Sequence, residues 1–377
     1  MNYGLPYKGS KNRIAKRLGA LLPSAEVFYD VFAGGCAMTH WALLSGKYQA
    51  VVANDINGMI PAAFQKAITG GYAKEDRWIS REDFRRLYLT DPYVAMCFSF
   101  ANNLIDYCYA AELEPYKRAL HYAIFWRDIA PWAELCPETA DALGAAMADE
   151  PDRHKRRIAA GRAIVSALKR GLSDGTINPA VLDKPIYRKI RKKKDAENFT
   201  QLRIQSGEHL ARLNNIERLE SHERLDRLNS VESLESAERL DRINILGNLE
   251  TLQNGESLDR MCELPPLHAG PILSVKSGDY RALTFDRPGI IYCDPPYRNT
   301  SKYHTVAAFD FDAFYSWCES QILPVYISEY SMPENRFYPV AEITVSRKID
   351  QHSASRVTEK LYRPIKQINQ ENCYVAS

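Results

Sequence analysis

The residues best suited to chemistry follow an apolar segment late in the chain, IIYCDPPY (290–297). Its first four residues are typical of a buried strand, and they are followed at once by Asp294, Pro295, Pro296 and Tyr297. Proline cannot donate to a strand ladder, and it stiffens the backbone where it stands. The segment therefore predicts a strand that ends abruptly and holds a carboxylate and a tyrosine at its end.

A glycine-rich turn forms a second candidate site, within FYDVFAGGCA (28–37). A strand-like run leads into Gly34 and Gly35, and a helical pattern follows. Glycines at such a turn let a ligand approach the backbone and the helix N-terminus closely. A second strand-like run ends at Asp55, where nucleotide-binding α/β folds place the acid that binds ribose hydroxyls. A tight turn without a ligand and a helix-capping aspartate are the alternative interpretations.

A third acid, Asp279, precedes Asp294 by fifteen positions and also follows a strand-like run. The carboxyl ends of the strands form the ligand-binding edge of an open α/β sheet. Each acid alone can be explained as a cap or turn residue. Together with the CDPPY segment, they favour a ligand site at one edge of a sheet.

The elements that must position these residues lie in two separated parts of the chain. Residues 1–60 and 263–377 show the strand signals, at 271–275, 289–293, 325–328 and 340–345 in the second part. Residues 61–200 show helical patterns rich in aromatic residues, and residues 201–262 form a biased repeat. We predict one α/β domain (1–60 and 263–377) interrupted by two inserted segments (61–200 and 201–262), which a parallel sheet tolerates at its strand ends.

The composition excludes several classes of protein. The net charge of +2 is nearly neutral, so a polyanionic partner would have to meet local basic patches. No stretch is apolar enough to span a membrane, and the N-terminus lacks an apolar signal region. The eight cysteines are scattered without a CxxC pair, which argues against a zinc site or a disulfide framework. We expect a soluble, cytoplasmic protein without a metal site.

Six motifs of this chain resemble those of the Dam-type (alpha-group) DNA N6-adenine methyltransferases, as phage-like members carry them. They are PYKGSKNRI (6–14), DVFAGGCA (30–37), ANDIN (53–57), GDY (278–280), CDPPY (293–297) and ISEY (327–330). The resemblance implies a Rossmann-like, S-adenosylmethionine-dependent methyltransferase sheet with an inserted, mainly helical DNA-recognition region. One motif departs from the family, because the last glycine of its usual F-x-G-x-G turn is Cys36 here.

The reaction implied by the resemblance moves a methyl group from S-adenosylmethionine to the exocyclic N6 of adenine. That nitrogen is a poor nucleophile because its lone pair is conjugated into the ring. The carboxylate of Asp294 and the carbonyl of Pro295, held in direction by the prolines, can accept its two protons and orient it. Tyr297 can stack on an adenine that has been flipped out of the duplex. The catalytic residues expected are Asp294, Pro295, Pro296 and Tyr297.

The resemblance also implies the residues that bind the cofactor. These are Tyr7, Lys8, Lys11, Phe32, Gly34, Asp55, Asp279 and Asp294. Tyr7, Lys8 and Lys11 would hold the methionine end, Asp55 the ribose and Asp279 the adenine, while Phe32 and Gly34 line the turn. Alternatively, Lys8 and Lys11 are simply exposed lysines near the N-terminus. No metal is expected.

Double-stranded DNA is the expected partner, and amide and cationic side chains are its candidate contacts. These are Asn102, Asn103, Arg127, Arg188, Arg191, Lys192, Lys193 and Lys194. Asparagine can pair with adenine and arginine with guanine, while the basic runs RHKRR (153–157) and RKIRKKK (188–194) suit phosphate contact. The alternatives are a solvated helix surface for the charges and a helical core for the neighbouring aromatic residues.

The sequence leaves other functions and partners open. Methylation of cytosine N4 or of protein glutamine uses related strand-end motifs, typically with serine or asparagine where Asp294 stands. A methyltransferase fold kept as a DNA-binding regulator is the non-enzymatic alternative. A monomer in the cytoplasm of a prokaryotic or phage-infected cell, near the nucleoid, is compatible with the sequence. A partner nuclease, as in restriction-modification, is left undetermined.

The repeat at 201–262 places an apolar residue at every third position from Leu213 to Met261, with three exceptions. Three is not a helical period, and a straight helix would spread such a stripe around its circumference. Several Glu–Arg pairs nevertheless stand at i,i+4 in the order that favours a helix. We predict short helices broken near Asn229, Gly247 and Gly255, with a small solenoid or disorder as alternatives.

Overall fold

The computed structural model describes residues 3–148, 150–188, 255–262, 264, 267, 270–296, 309–348 and 354–375. The chain divides into two compact units. The first consists of Met1–Glu75, Phe84–Asp106 and Ser257–Ser377, and the second of Asp76–Asp83 and Tyr107–Glu256.

The first unit is built on one sheet, whose strands in the described part of the chain number seven. They are β1 (Val27–Asp30), β2 (Ala50–Asp55), β3 (Ile272–Ser277), β4 (Gly289–Cys293), β5 (Val325–Glu329), β6 (Phe337–Lys348) and β7 (Ala354–Pro364). Their order is β3-β2-β1-β4-β5-β7-β6, with β1 to β5 parallel and β7 antiparallel to both of its neighbours. The predicted Rossmann-like α/β fold is confirmed.

The helices of the described residues lie before, between and after these strands. They are α1 (Ala15–Ala20), α2 (Ala37–Leu44), α3 (Met59–Ile68), α4 (Arg81–Leu87), α5 (Pro92–Cys97), α6 (Glu114–Trp126), α7 (Ala130–Leu135), α8 (Pro137–Ala148), α9 (Arg153–Asp174), α10 (Gly255–Cys262), α11 (Phe311–Ser320) and α12 (Ile365–Val375). None of these helices is long and apolar enough to cross a membrane.

The core of the first unit lies along the parallel strands. All four residues of β1 are buried, as are all five of β5, because a parallel sheet is covered on both faces. Val27, Ile291 and Val325 pack in one cluster with Phe314 of α11. This rigid centre fixes the ends of β1, β4 and β5, where the candidate residues lie.

The described part of the second unit is mainly helical and has its own core. That core joins α6, α7, α8 and α9 around the fully buried Trp132 and Tyr187. The Thr139 hydroxyl lies within hydrogen-bond distance of both rings, at 3.0 Å from Trp132 Nε1 and 3.1 Å from the Tyr187 hydroxyl. Helices are frequent in the described part of residues 61–188, although residues 61–75 and 84–106 belong to the unit that holds the sheet.

Candidate active site

The candidate residues meet at the carboxyl edge of the parallel strands. The chain leaves β1 for β2 and β3 on one side and returns to β4 on the other side, so the order of strands reverses between β1 and β4. Open α/β sheets bind ligands at such a reversal. Asp30, Asp55 and Glu329 are the last residues of β1, β2 and β5, and Asp294 directly follows β4.

The glycine turn between β1 and α2 is covered by the N-terminal segment. The Leu5 N–H donates to the Gly35 carbonyl at 2.7 Å. A Cβ atom on Gly35 would lie 2.6 Å from the Cβ of Tyr7, which leaves room for glycine alone. The Tyr7 ring lies beside Gly34, 3.4 Å from the place that a Cβ atom there would take. Two of the predicted cofactor residues, Tyr7 and Gly34, are thus neighbours.

Asp55 holds the same turn from the side of β2. Its Oδ2 accepts from the Gly34 N–H, and its Oδ1 from the Asn57 N–H, both at 2.9 Å. Burial raises the pKa of Asp55, and these two hydrogen bonds oppose the rise. The cap of α3 is Gly58, so Asp55 does not serve as the helix cap. Its carboxylate lies beside the glycine turn, as the sequence predicts for an acid that binds ribose.

Asn54 lies in the motif ANDIN (53–57), where the sequence assigns a role to Asp55 alone, and it is a structural residue of the site. Its buried amide Nδ2 donates to the carbonyls of Val31 and Gly278, each at 3.1 Å. One side chain therefore ties together the segments that follow β1 and β3. The only signal in the sequence is an amide next to Asp55 at the end of a strand.

Asp279 caps the 3₁₀ turn Tyr280–Ala282 and forms an ion pair with Arg281. Arg281 Nε lies 2.9 Å from Asp279 Oδ1, and its Nη2 lies 2.7 Å from Oδ2. The hydrogen bond from the Arg281 side chain lowers the pKa of Asp279, although burial opposes it. Both oxygens of Asp279 are engaged with Arg281, so binding of a cofactor adenine would have to share or displace that pair.

The Phe32 side chain, in the turn after β1, packs in an aromatic cluster. Its ring centroid lies 5.2 Å from that of Tyr280, 5.6 Å from Phe314 and 5.9 Å from Phe309. Lys8, which follows Tyr7 in the N-terminal segment, is exposed. Phe32 thus joins the glycine turn to the segment that carries Asp279.

Asp294 is ion-paired with Lys11, which is the most distinctive contact of the site. Lys11 Nζ lies 2.7 Å from Asp294 Oδ1 and 3.5 Å from Glu359 Oε1. The Lys11 side chain is 7% exposed and that of Asp294 is 21% exposed. Burial alone would lower the pKa of Lys11, but the charges of Asp294 and Glu359 outweigh it, so the pKa is raised. Lys11, predicted to hold the cofactor, therefore also sets the state of the predicted catalytic carboxylate.

Two further acids at this edge hold their protons unusually well. Burial raises the pKa of Asp30 to about 7, and the charges of Asp294 and Asp55 add to the effect. Burial likewise raises the pKa of Glu329 to about 8. Asp30 Oδ1 and Glu329 Oε2 have no hydrogen-bond partner among the described residues. Two carboxyl groups whose pKa is raised by burial therefore lie at the same strand edge as the Lys11–Asp294 pair.

The end of the repeat contacts the N-terminal segment within the first unit. Arg260 of α10 donates through Nη2 to the carbonyls of Tyr3, Gly4 and Leu5 at 3.1–3.3 Å. Met261 is fully buried, and its sulfur lies 3.5 Å from Cys97 Sγ. The repeat ends in a helix at this point, and its other residues lie outside the described part of the chain.

The residues predicted to contact DNA that the structure describes are divided between the two units. In the first unit, Asn102 donates to the Met96 carbonyl and to Ser257 Oγ, and Asn103 donates to Asp106. In the second unit, Arg127 donates to the carbonyls of Ala148, the last residue of α8, and of Glu150, and the exposed Arg188 pairs with Glu112 at 2.9 Å. Arg191, Lys192, Lys193, Lys194 and the predicted catalytic Tyr297 lie outside the described residues.

Comparison with known families agrees with this geometry. Residues 7–84 match the family model described as D12 class N6 adenine-specific DNA methyltransferase. The match confirms the predicted resemblance and the predicted enzyme class, and it supports DNA adenine methyltransferase activity. This family implies a DNA substrate and S-adenosylmethionine as methyl donor. The matched segment includes the glycine turn and Asp55, whereas Asp294 lies beyond it. A search of curated proteins found no match.

Proposed function

We propose that this protein moves a methyl group from S-adenosylmethionine to N6 of an adenine flipped out of double-stranded DNA, at a specific sequence. The observation that carries the proposal is the Lys11–Asp294 pair at the reversal of the strand order, directly before Pro295 and Pro296. It supplies an ionised, oriented carboxylate at the point where the family's chemistry needs an acceptor. S-adenosylmethionine supplies the methyl group when it is bound.

The residues at the strand edge fit this cofactor. Gly34 has no Cβ atom beside the Tyr7 ring, so a ligand can approach the backbone of the turn closely. The Asp55 carboxylate lies at the same turn. Each carboxylate oxygen has two lone pairs, so Asp55 can accept from ribose hydroxyls while it keeps its backbone hydrogen bonds. The two carboxyl groups of Asp294 and Glu359, which share the single ammonium of Lys11, suit a site for a sulfonium cation.

Asp294 and the backbone that follows it act on the adenine amine. The two N6–H groups donate hydrogen bonds, one to the Asp294 carboxylate and one to the Pro295 carbonyl, which turns the nitrogen lone pair toward the incoming methyl group. Positive charge that develops on the nitrogen is stabilised by the Asp294 carboxylate. Positioning by two fixed acceptors is the contribution of this chain to the rate. Tyr297 stacks on the flipped base.

DNA recognition is assigned to the inserted region at 61–200. The helical unit supplies a scaffold, and the exposed Arg188 is the first residue of the basic run that continues to residue 194. Each phosphate neutralised by such a run adds salt-dependent affinity.

Replacing Asp294 by alanine tests this function. Asp294→Ala should bind S-adenosylmethionine with nearly unchanged affinity but lose at least ~10²-fold in turnover, because one preorganised acceptor is removed from the transition state. Cofactor binding is measured by calorimetry, and turnover by transfer of labelled methyl groups to DNA.

Asp312→Ala is the matched control, since Asp312 is an exposed acid of the same unit, in the first turn of α11. It should leave turnover unchanged. Turnover at the wild-type level in folded Asp294→Ala contradicts the assignment. Cofactor and DNA binding without any turnover in the wild type would instead identify a regulator.

A further inference from the structure

Glu359 is a buried acid of β7 that none of the sequence motifs contains. The antiparallel pairing of β7 with β5 brings it to the edge where β4 ends. The Ser328 hydroxyl donates to Glu359 Oε1 at 2.5 Å. Lys11 Nζ lies 3.5 Å from the same oxygen and 2.7 Å from Asp294 Oδ1. A single ammonium group therefore links Glu359 to Asp294.

Because Lys11 is buried, the charge of Glu359 affects how strongly Lys11 interacts with Asp294. Side chains of Lys11 and Glu359 are 7% and 4% exposed, so their charges are poorly screened by water. A buried ammonium paired with Asp294 alone would draw that carboxylate into one tight ion pair. The acceptor strength of Asp294 toward another donor would then fall. Because Glu359 takes part of the interaction with Lys11, Asp294 keeps more of its negative charge for a substrate.

We propose that Glu359 is a positioning residue for methyl transfer, which shares Lys11 with Asp294 and so keeps the Asp294 carboxylate oriented and strong as an acceptor for the adenine amine. This inference rests on the proposed function, because Asp294 has an amine to hold only if adenine is the substrate. Ser328 orients Glu359 in turn. The chain of contacts thus runs from β5 through β7 and the N-terminal segment to the end of β4.

The pH dependence of turnover should respond to the charge of Glu359. Among the described residues, the charged and titratable groups around Asp294 include Lys11, Asp30 of β1, Tyr292 and Cys293 of β4, Glu329 and Tyr330 at the end of β5, and Glu359. Only Lys11 among them favours ionisation of Asp294, while the negative charge of Glu359 disfavours it. Removing that negative charge should lower the pKa of Asp294. The acidic limb of the kcat profile then shifts to lower pH, although the plateau itself falls.

The test compares Glu359→Gln with the wild type in the methyl-transfer assay. We expect kcat to fall about 10- to 100-fold, the scale of one charge-assisted hydrogen bond, with KM for S-adenosylmethionine changed less than about twofold. The acidic limb should move down by about one pH unit. Glu359→Asp keeps the charge and should recover part of kcat. Glu342→Gln is the matched control, because Glu342 is an exposed acid of the adjacent β6 that pairs with Lys360 at 2.8 Å.

Wild-type kcat in Glu359→Gln overturns the inference, and so does a lower kcat with an unshifted acidic limb, which indicates structural damage only. Should Glu359→Gln fail to fold, Ser328→Ala decides, since it removes the orienting hydroxyl without a change of charge. It should lower kcat about 3- to 10-fold, and an unchanged kcat would refute the inference. A wild-type protein that transfers no methyl group to adenine refutes the proposed function instead, whatever the variants do.

Discussion

Asp30 is a carboxyl group held inside the protein at the end of β1, 1% exposed. Its Oδ2 accepts from the Thr39 hydroxyl at 2.6 Å, while Oδ1 has no partner among the described residues. Burial raises its pKa to about 7, well above the 3.8 of an exposed aspartate. The folded state therefore binds this proton more tightly than the unfolded state. Stability must then fall as the pH rises from about 4 to about 7.

Asp30→Asn should remove this loss of stability. Asparagine keeps an oxygen for Thr39 but cannot ionise. The free energy of unfolding of Asp30→Asn, relative to that of the wild type, should therefore rise with pH. The expected slope is up to ~1.4 kcal/mol per pH unit between pH ~4 and ~7, with a plateau above. Urea unfolding of both proteins at several pH values measures it. Glu329 titrates in both proteins and cancels in the comparison, and a difference that does not change with pH would contradict the argument.

The candidate residues differ in how far the sequence predicts them. Asp294, Asp55 and Tyr7 belong to short motifs, and the strand-end rule is enough to place the two carboxylates at one edge of the sheet. Asn54 lies in the ANDIN motif, but the motif gives it no role, and Glu359 lies in none of the motifs. Their roles depend on partners that are remote in sequence, such as Lys11 for Glu359, and only the pairing of β7 with β5 brings these together.

At the scale of elements, the turn from β1 to α2 contains a backbone conformation that suits glycine. Cys36 caps α2 with φ 59° and ψ 31°, in the left-handed region. A side chain in this region costs about 1 kcal/mol or more, which glycine avoids. The Dam-type pattern has glycine at this position, so the departure noted in the sequence carries a local strain. The thiol is fully buried beside the Gly34 carbonyl, at 3.7 Å.

A comparison of Cys36→Gly with Cys36→Ala should reveal that strain. Both variants lose the buried thiol, but only glycine relaxes the left-handed backbone. We expect Cys36→Gly to exceed Cys36→Ala in free energy of unfolding by about 1 kcal/mol, after the greater freedom of glycine in the unfolded chain is included. Denaturant unfolding of the two variants measures the difference. An alanine variant of equal or higher stability would show that the turn holds no such strain.

The sequence predicts the parallel strands well and the antiparallel ones poorly. The strand predicted at 289–293 is β4 as observed, and the one predicted at 325–328 is extended by Glu329 alone. The strand predicted at 340–345 is the middle of a longer β6, and β7 is not predicted at all. Strand β7 carries charged residues among its apolar ones, as in TEKLYRP (358–364), because it lies near the sheet edge. Its pairing follows from tertiary context rather than from local propensity.

At the scale of the whole molecule, one sheet is assembled from both ends of the chain. Strand β2 ends at residue 55 and β3 begins at residue 272, yet the two pair in parallel over six residues. The sequence could predict this closure because strand signals stop and resume around the insertion. It could not predict that residues 84–106 join the unit of the sheet. The functions assigned to the basic run at 188–194 and to most of the repeat stay predictions, since nearly all of these residues lie outside the described ranges.

The central claim is that the carboxyl edge of this sheet methylates adenine. Its most direct test incubates the purified protein with double-stranded plasmid DNA and S-adenosylmethionine that carries an isotopically labelled methyl group. The DNA is then digested to nucleosides, which are identified by mass spectrometry. We expect the label to appear in N6-methyladenine and to be lost in Asp294→Ala. Label in N4-methylcytosine, label in protein, or unlabelled DNA beside an active control methyltransferase would contradict it.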